Sequence, residues 1–232
     1  SHRGIEANPA KIRALSQLAI PTDLKQVQKL AGYVAALSRF ISKLGEKALP
    51  LYKLLRCTDN FKWTDAATAG LEEIKALLAS NPILAAPRVG EPMLLYILST
   101  NQVVSVVLVI KRGEEGHKFP TQKHVYYVAE VLTPFKSRYS HYQKIAYTVF
   151  MVSQKLRHYF QECSIIVASE VPLNDIINNR DTTGLIVKWA IEILTFEIVY
   201  KPCRAIKPHV LADPVAKWTE AELPKEYSSY SN

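Results

Sequence analysis

The sequence predicts an α/β protein in which a small helical region precedes a mixed five-stranded sheet with flanking helices. Up to about Pro92, apolar residues recur at helical spacing, and from Met93 onward short runs of β-branched and apolar residues replace that spacing. The later elements follow the order three strands, helix, strand, helices, strand, helix. That order is typical of a mixed sheet covered by helices.

The composition is that of a globular protein. The chain has 232 residues, of which 48% are hydrophobic and 22% are charged, enough apolar surface for a buried core. No apolar run reaches the roughly 18 residues that span a bilayer, so we expect no membrane partner. Three cysteines without a C-x-x-C pair and six scattered histidines predict neither a disulfide framework nor a zinc site. We therefore expect an intracellular protein, cytoplasmic or nuclear.

The helical region contains three predicted helices and a connector. The Pro-Thr-Asp sequence at 21–23 supplies an N-cap for a long helix, and Thr64 or Asp65 caps the third helix. The predicted helices cover Leu24–Leu44, Ala48–Leu55 and Asp65–Ala79. Residues 81–92 hold three prolines and a glycine, which predicts a connector rather than a regular element.

The long helix has two unlike sides. At about 100° per residue, the apolar residues from Val27 to Leu44 fall on one side and a basic stripe falls on the other. The stripe consists of Lys25, Lys29, Arg39 and Lys43, with Gly32 and Ala36 lying between the cations. Residues 1–56 also hold ten lysines and arginines against three acids, whereas the rest of the chain is nearly neutral. This asymmetry favours a polyanionic partner for the helical region.

The second half supplies the sheet and its helices. Predicted strands cover Met93–Ser99, Val103–Lys111, His124–Ala129, Ser164–Ser169 and Phe196–Pro202. Predicted helices cover Tyr139–Phe160, Pro172–Asn178, Thr183–Leu194 and Pro208–Trp218, and the polar residues after Trp218 predict a linker tail.

Several stretches resemble one known family. The segment from Lys11 to Pro87 resembles the reverse transcriptase thumb and connector of plant gypsy-type LTR retrotransposon polyproteins. The strands and helices after it, with "IIVASEVPL" and "VLADPVAKW", resemble the ribonuclease H region that follows in those polyproteins. The resemblance implies a thumb at 1–80, a connector at 81–92, a ribonuclease H-like connection domain at 93–218 and a linker tail at 219–232.

The resemblance also implies where a catalytic site would be. Ribonuclease H enzymes hold two Mg²⁺ ions with several converging carboxylates. The family's first-strand aspartate falls on Leu98, its two helical acidic positions fall on Gln143 and Ile145, and its strand-end aspartate falls on Ser169. The family also places an aspartate on the last helix, and this position alone keeps its acid here, as Asp213. Because one carboxylate cannot organise two Mg²⁺ ions, we expect no catalysis and no cofactor.

The resemblance places nucleic-acid binding on the long helix. A Gln-x3-Gly-x3-Trp track in retroviral thumbs lies along the minor groove of the primer duplex, and here it reads Gln28, Gly32, Ala36. A glycine lets the backbone approach the duplex closely, and lysine and arginine side chains bind the phosphates. The expected function is to bind and position an RNA/DNA or DNA template–primer duplex, beside the other domains of the polyprotein.

Two alternatives remain open. One is an active Mg²⁺-dependent ribonuclease H with relocated acidic ligands. The other is a protein-interaction module taken over by a host, in which the sheet binds a protein partner.

Overall fold

The structure, a computed structural model, describes residues 4–56, 61–113, 120–169, 171–178 and 184–202. The predicted helix Pro208–Trp218, the tail at 219–232 and Asp213 lie outside these described residues. In the part of the chain that is described, no helix is both long enough and apolar enough to cross a membrane.

Four α-helices form a layer in the N-terminal region: α1 (Pro9–Ser16), α2 (Leu24–Leu37), α3 (Leu44–Leu55) and α4 (Asp65–Ala79). The predicted caps at Asp23 and Thr64 are confirmed. The Asp23 side chain accepts a hydrogen bond from the Gln26 backbone N–H, and Thr64 accepts one from Ala67. Two short strands, β1 (Ile5–Glu6) and β2 (Ile83–Leu84), pair antiparallel, so part of the predicted connector forms a regular element.

The main sheet has five strands in the order β5-β4-β3-β6-β7. Its strands are β3 (Met93–Ser99), β4 (Val103–Arg112), β5 (Thr121–Val131), β6 (Ile165–Ser169) and β7 (Ile198–Pro202). β4 runs antiparallel to both of its neighbours, β3 and β5, whereas β6 is parallel to both β3 and β7. The predicted mixed α/β fold with five strands and flanking helices is therefore confirmed.

The sheet is covered on both faces because successive side chains of a strand point to opposite faces, and here the side chains on both faces are apolar. Met93, Leu95 and Ile97 face a cluster with α6 (His141–Lys155) and α9 (Leu185–Ile193). Tyr96, Val107 and Tyr127 face the other way and share a cluster with α2, α3 and α4. The helical layer and the sheet therefore bury a common core.

Three further short helices complete the described fold. They are α5 (Pro134–Ser137), α7 (Arg157–Glu162) and α8 (Leu173–Asn178). The predicted continuous helix Tyr139–Phe160 is wrong, because Leu156 leaves helical geometry with φ −115° and ψ 34° and separates α6 from α7. Both helices keep the apolar spacing across the break, so the pattern alone did not reveal it.

The predicted helix Leu24–Leu44 is also wrong in its length. The α-helix ends at Leu37, a 3-10 turn covers Ser38–Phe40, and Lys43 adopts a left-handed backbone with φ 51°. Phe40 in the turn and Ile41 directly after it are buried like the helical residues before them. No glycine or proline marks this turn, and its buried residues continue the helical spacing into the turn, so the sequence pattern did not show where α2 ends.

Candidate nucleic-acid interface

One side of α2 is open to solvent along its whole length. It carries five residues predicted from the sequence, and we call these residues the α2 face. They are Lys25, Gln28, Lys29, Gly32 and Ala36, all of them exposed. The opposite side buries Val27, Leu30, Val34 and Leu37, each at most 1% exposed. Since a buried aliphatic side chain contributes about 1.5–3 kcal/mol, this packing fixes which side of α2 faces outward.

Local polar contacts anchor the start of this helix. Asp23 accepts from the Gln26 backbone N–H at 2.9 Å, and the Gln26 side chain donates to Asp23 Oδ2 at 2.8 Å and to Thr22 Oγ1 at 2.9 Å. The cap satisfies N–H groups that have no partner within the helix. Lys25 and Lys29 follow directly, one turn apart on the same side.

Gly32 lies at the centre of the α2 face, and no other part of the described protein packs against the position of its missing side chain. A methyl group built on its Cα would find no atom within 4 Å. Internal packing therefore does not explain a glycine in this helix interior, where it costs about 0.5–1 kcal/mol relative to alanine. The backbone at Gly32 is accessible to a partner that approaches closely.

Arg39 and Lys43, predicted to continue the basic stripe, lie beyond the end of α2 at Leu37, and Lys43 is half-buried with a left-handed backbone. Arg39 lies in the 3-10 turn, half-buried, with its guanidinium carbon 4.8 Å from the centre of the Tyr126 ring on β5. Burial raises the pKa of Tyr159, and the positive charge of the neighbouring Arg39 offsets part of that rise. Arg39 therefore joins the helical layer to the sheet, and the stripe on α2 is reduced to Lys25 and Lys29.

The mapped acidic positions lie on different faces of the sheet. Leu98 packs with the cluster under the helical layer, and Ile97 beside it packs with the α6 cluster. Ile145 is 3% exposed in the α6 cluster. Ser169 follows Val167 of that cluster by two residues and so faces the same way. The structure brings Ile145 and Ser169 to one face but places Leu98 on the other.

The side chains at these positions have structural partners. Ser169 Oγ accepts a hydrogen bond from the Val171 backbone N–H at 3.1 Å. Gln143 completes a capping box at the start of α6: its side-chain oxygen accepts from the Ser140 N–H at 2.9 Å. Lys144, only 5% exposed, donates to the backbone oxygens of Thr100 and Asn101 at 3.3 and 3.5 Å.

These residues do not fit a divalent metal. Mg²⁺ requires oxygen ligands, mostly carboxylates and waters. Of the four positions, two are apolar, one is a hydroxyl and one is an amide whose oxygen accepts from the Ser140 N–H, and the nearby charge is a lysine. Among the described residues, no group of three or more His, Cys, Asp or Glu side chains could hold a metal ion. Asp213 lies outside those residues.

A groove that the sequence did not reveal runs between α3 and the segment formed by the end of β5 and α5. It comprises two adjoining cavities of about 350 and 220 Å³ that share Tyr52, Arg56 and Val131. Glu130 lines it and accepts hydrogen bonds from Lys136 Nζ at 2.6 Å and from the Tyr147 hydroxyl at 2.8 Å. Sequence spacing cannot predict this groove, because its walls are about 75 residues apart in the chain.

Known proteins similar to this chain include a reverse transcriptase domain family and retrotransposon polyproteins. Residues 63–167 match the model of a family described as "RNase H-like domain found in reverse transcriptase". The chain is 26% identical over 229 residues to the retrovirus-related Pol polyprotein from transposon opus of Drosophila melanogaster, covering 92% of this chain and 22% of that protein. It is 24% identical over 245 residues to the transposon Tf2-3 polyprotein of Schizosaccharomyces pombe, covering 100% of this chain and 17% of that protein.

Solved structures share the fold. A foamy viral protease–reverse transcriptase in complex with double-stranded DNA gives a TM-score of 0.67 at 18% identity, over 88% of this chain and 36% of that one. The foamy viral enzyme in complex with an RNA/DNA hybrid gives 0.67 at 18% identity, over 96% and 30%. Residues 63–167 are thus similar to RNase H-like domains of reverse transcriptases, and the chain is similar to retrotransposon polyproteins, of whose length it spans about a fifth.

Proposed function

We propose that this chain is the thumb and connection part of a retrotransposon reverse transcriptase, and that it binds and positions a template–primer duplex through the α2 face. The observation that carries the proposal is the outward side of α2, where the exposed cations Lys29 and Lys25 lie one and two turns before an unobstructed glycine, Gly32. Lysines supply sequence-independent phosphate contacts, and a bare backbone permits close approach to a groove.

The comparisons support this proposal from a separate direction. The foamy viral structures that share the fold are complexes with double-stranded DNA and with an RNA/DNA hybrid. The resemblance of the motifs to plant gypsy-type elements narrows the proposed source, and the remaining polyprotein domains are the proposed neighbours. On this view the protein works inside the cell, in a cytoplasmic retroelement particle or in the nucleus.

We further propose that the RNase H-like part has a structural role and no catalytic one. Ile145 and Ser169, where the resemblance places two of the family's carboxylates, lie on one face of the sheet and carry none, and Leu98, where it places the first-strand acid, lies on the other face. Lys144 brings a positive charge to the end of β3, where it donates to the Thr100 backbone oxygen. A lysine at this place repels the metal ions that such carboxylates attract. The domain then holds the geometry between the α2 face and the rest of the polyprotein without a Mg²⁺ cofactor of its own.

The decisive experiment measures binding and cleavage of one labelled RNA/DNA hybrid side by side, with and without Mg²⁺. We expect binding without cleavage, and an affinity that falls steeply between about 50 and 200 mM salt. The double variant Lys25→Gln/Lys29→Gln should weaken binding and reduce the slope of log K against log salt by about two, because two phosphate contacts are lost. Lys155→Gln, which removes an exposed charge at the far end of α6, is the matched control and should leave the slope unchanged.

Two results would favour the alternatives. Mg²⁺-dependent cleavage abolished by Asp213→Asn would establish an active ribonuclease H. An unchanged duplex affinity in the double variant would remove the α2 face from the proposal and favour a protein-interaction module.

A further inference from the structure

The helix α9 carries a row of apolar side chains on its outer side. Ile191 and Leu194 are 62% and 58% exposed, and Val187, one turn before Ile191, is half-buried. The spacing i, i+4, i+7 places these three side chains, which we call the α9 strip, in one row along the helix. The other side of α9 is buried through Trp189 and Ile193. A contiguous row of exposed apolar side chains, unlike a single one, indicates a contact surface.

The described part of the chain ends beside this strip. Only residues 194–197 separate α9 from β7, and Ile198 and Tyr200 of β7 pack against the cluster that contains Ile193 of α9. β7 therefore lies next to α9, and its last residue, Pro202, is also the last residue that the structure describes. The segment directly after Pro202 is thus tethered close to the α9 strip.

This segment has a matching apolar side in its sequence. Residues 203–232 lie outside the described residues, and the sequence predicts a helix over Pro208–Trp218. In that helix Leu211, Val215 and Trp218 recur at i, i+4 and i+7, the spacing of the α9 strip. Both rows are two turns long, about 10 Å, so they can pack side by side along their whole length.

Pro214 does not exclude this predicted helix. It is the seventh residue of the helix, and Pro50 is likewise the seventh residue of α3, which remains helical across it. A proline removes one backbone hydrogen bond and bends a helix. Ala48 and Leu51, on either side of Pro50, are nevertheless buried, which shows that packing of an apolar side holds such a helix in this protein.

We propose that residues 208–218 dock on the α9 strip through their apolar row. The five residues 203–207 can span up to about 17 Å, enough to turn back from the end of β7 to α9. A short tether gives an effective concentration in the millimolar range, which favours this segment over a second copy of the chain as the occupant. The docking does not depend on the duplex binding proposed above.

Docking in this way has a consequence for Asp213. At about 100° per residue, Asp213 lies about 200° from Leu211 and therefore on the side of the predicted helix that faces away from α9. The retained acid then faces solvent rather than the sheet, in agreement with the structural role proposed above for the RNase H-like part.

Hydrogen exchange of the full chain, measured by mass spectrometry, tests the docking. An isolated helix of about 11 residues is marginal in water, so slow exchange of the backbone amides in residues 208–218 reports on docking. We expect these amides to exchange at least about tenfold more slowly than in an unstructured peptide. Ile191→Asp should remove most of this protection, because it places a charge in the apolar contact.

Two further variants complete the test. Val89→Asp changes an apolar residue of the connector that is 89% exposed; it is the matched control and should leave residues 208–218 protected. Ile191→Gln adds no charge and should lower the protection by a smaller factor than Ile191→Asp. It decides the test if the aspartate also speeds exchange in α6 and α9.

Three outcomes would overturn the proposal. In the first, residues 208–218 of the wild-type chain exchange as fast as an unstructured peptide. In the second, their protection is unchanged in both Ile191 variants, so they dock elsewhere. In the third, protection appears only with rising protein concentration, together with a dimer in sedimentation velocity, so the α9 strip binds a second copy. None of these outcomes affects the duplex proposal, which is measured separately with the labelled hybrid.

Discussion

At the scale of single residues, similar charges take different roles according to what lies beneath them. Lys29 and Arg39 are ten positions apart and both belong to the basic stripe predicted opposite the apolar residues, yet Lys29 is exposed and Arg39 covers the Tyr126 ring. The planar guanidinium stacks on an aromatic ring more readily than an ammonium does. A contact between layers thus accounts for a charge that the sequence pattern assigned to a ligand.

A second arginine ties the connector to the sheet. Arg112 donates from Nε to Glu91 Oε1 at 2.9 Å and from Nη2 to Glu91 Oε2 and the Ala86 oxygen, both at 2.8 Å. The hydrogen bonds from Arg112 hold the pKa of Glu91 below its ordinary value. Because the folded-state pKa lies below the unfolded one, this stabilisation is complete above the unfolded pKa and is lost as pH falls through the folded pKa.

We therefore predict that Arg112→Met lowers the free energy of unfolding by about 2 kcal/mol at neutral pH. The difference from wild type should shrink as the pH falls below the ordinary pKa of a glutamate and through the lowered folded-state pKa of Glu91. Urea unfolding at a series of pH values measures this difference in the free energy of unfolding. Lys75→Met, which removes the 3.3 Å ion pair between the partly buried Lys75 and the exposed Glu72 within one helix, should cost no more than about 0.5 kcal/mol. A pH-independent loss in Arg112→Met would contradict the assignment.

At the scale of elements, α3 decides how closely the helical layer approaches the sheet. A methyl group built on Gly45 would lie 2.3 Å from Val103 Cγ1 on β4. Only a residue without a side chain allows this approach, and Gly45 is buried there. Gly32 on α2 faces open space instead, so the two helical glycines have opposite reasons to be present.

This contrast predicts stability changes of opposite sign. Gly45→Ala should destabilise the protein by about 1–3 kcal/mol, because α3 must move away from β4. Gly32→Ala should stabilise it by about 0.5–1 kcal/mol, because alanine favours an exposed helix interior. Chemical unfolding of both variants measures the two changes, and equal effects would show that the close contact at Gly45 is absent.

At the scale of the whole molecule, the helical layer and the sheet behave as one folding unit. Val107 and Tyr127 of the sheet lie in the same buried cluster as Leu30 and Leu71 of the helical layer. Separating the two would expose this apolar surface to water, at about 25 cal/mol per Å². The boundary between domains at residues 81–92 stays a prediction, because the parts before and after it share a buried core and need not fold as independent domains.

We predict a single unfolding transition. Trp63 reports on the helical layer, where its indole N–H donates to Thr68, and buried Trp189 reports on the α6–α9 side. With Trp218 replaced in both proteins, Trp63→Phe and Trp189→Phe should give coincident fluorescence and circular dichroism midpoints. Two separate transitions would show that the two parts fold independently.

Local sequence patterns were sufficient to predict many of the helices, strands and caps of this protein. The cap at Asp23, the α4 boundaries and the five strands follow from spacing and turn chemistry, because each depends on neighbours within a few residues. The exposed side of α2 follows for the same reason, since burying Val27, Leu30 and Val34 leaves Lys25, Gln28 and Lys29 outside.

Only the tertiary structure decided where α2 ends, where Arg39 lies, which face Leu98 takes and that a groove opens beside Arg56. Each of these depends on residues far apart in the chain: Arg39 meets Tyr126, and α3 meets the end of β5. An apolar residue satisfies the periodic pattern on either face of a doubly covered sheet, so the pattern cannot choose between them. The sequence by itself therefore determined the elements and their polar sides, and packing between layers decided which charges remain available for a ligand.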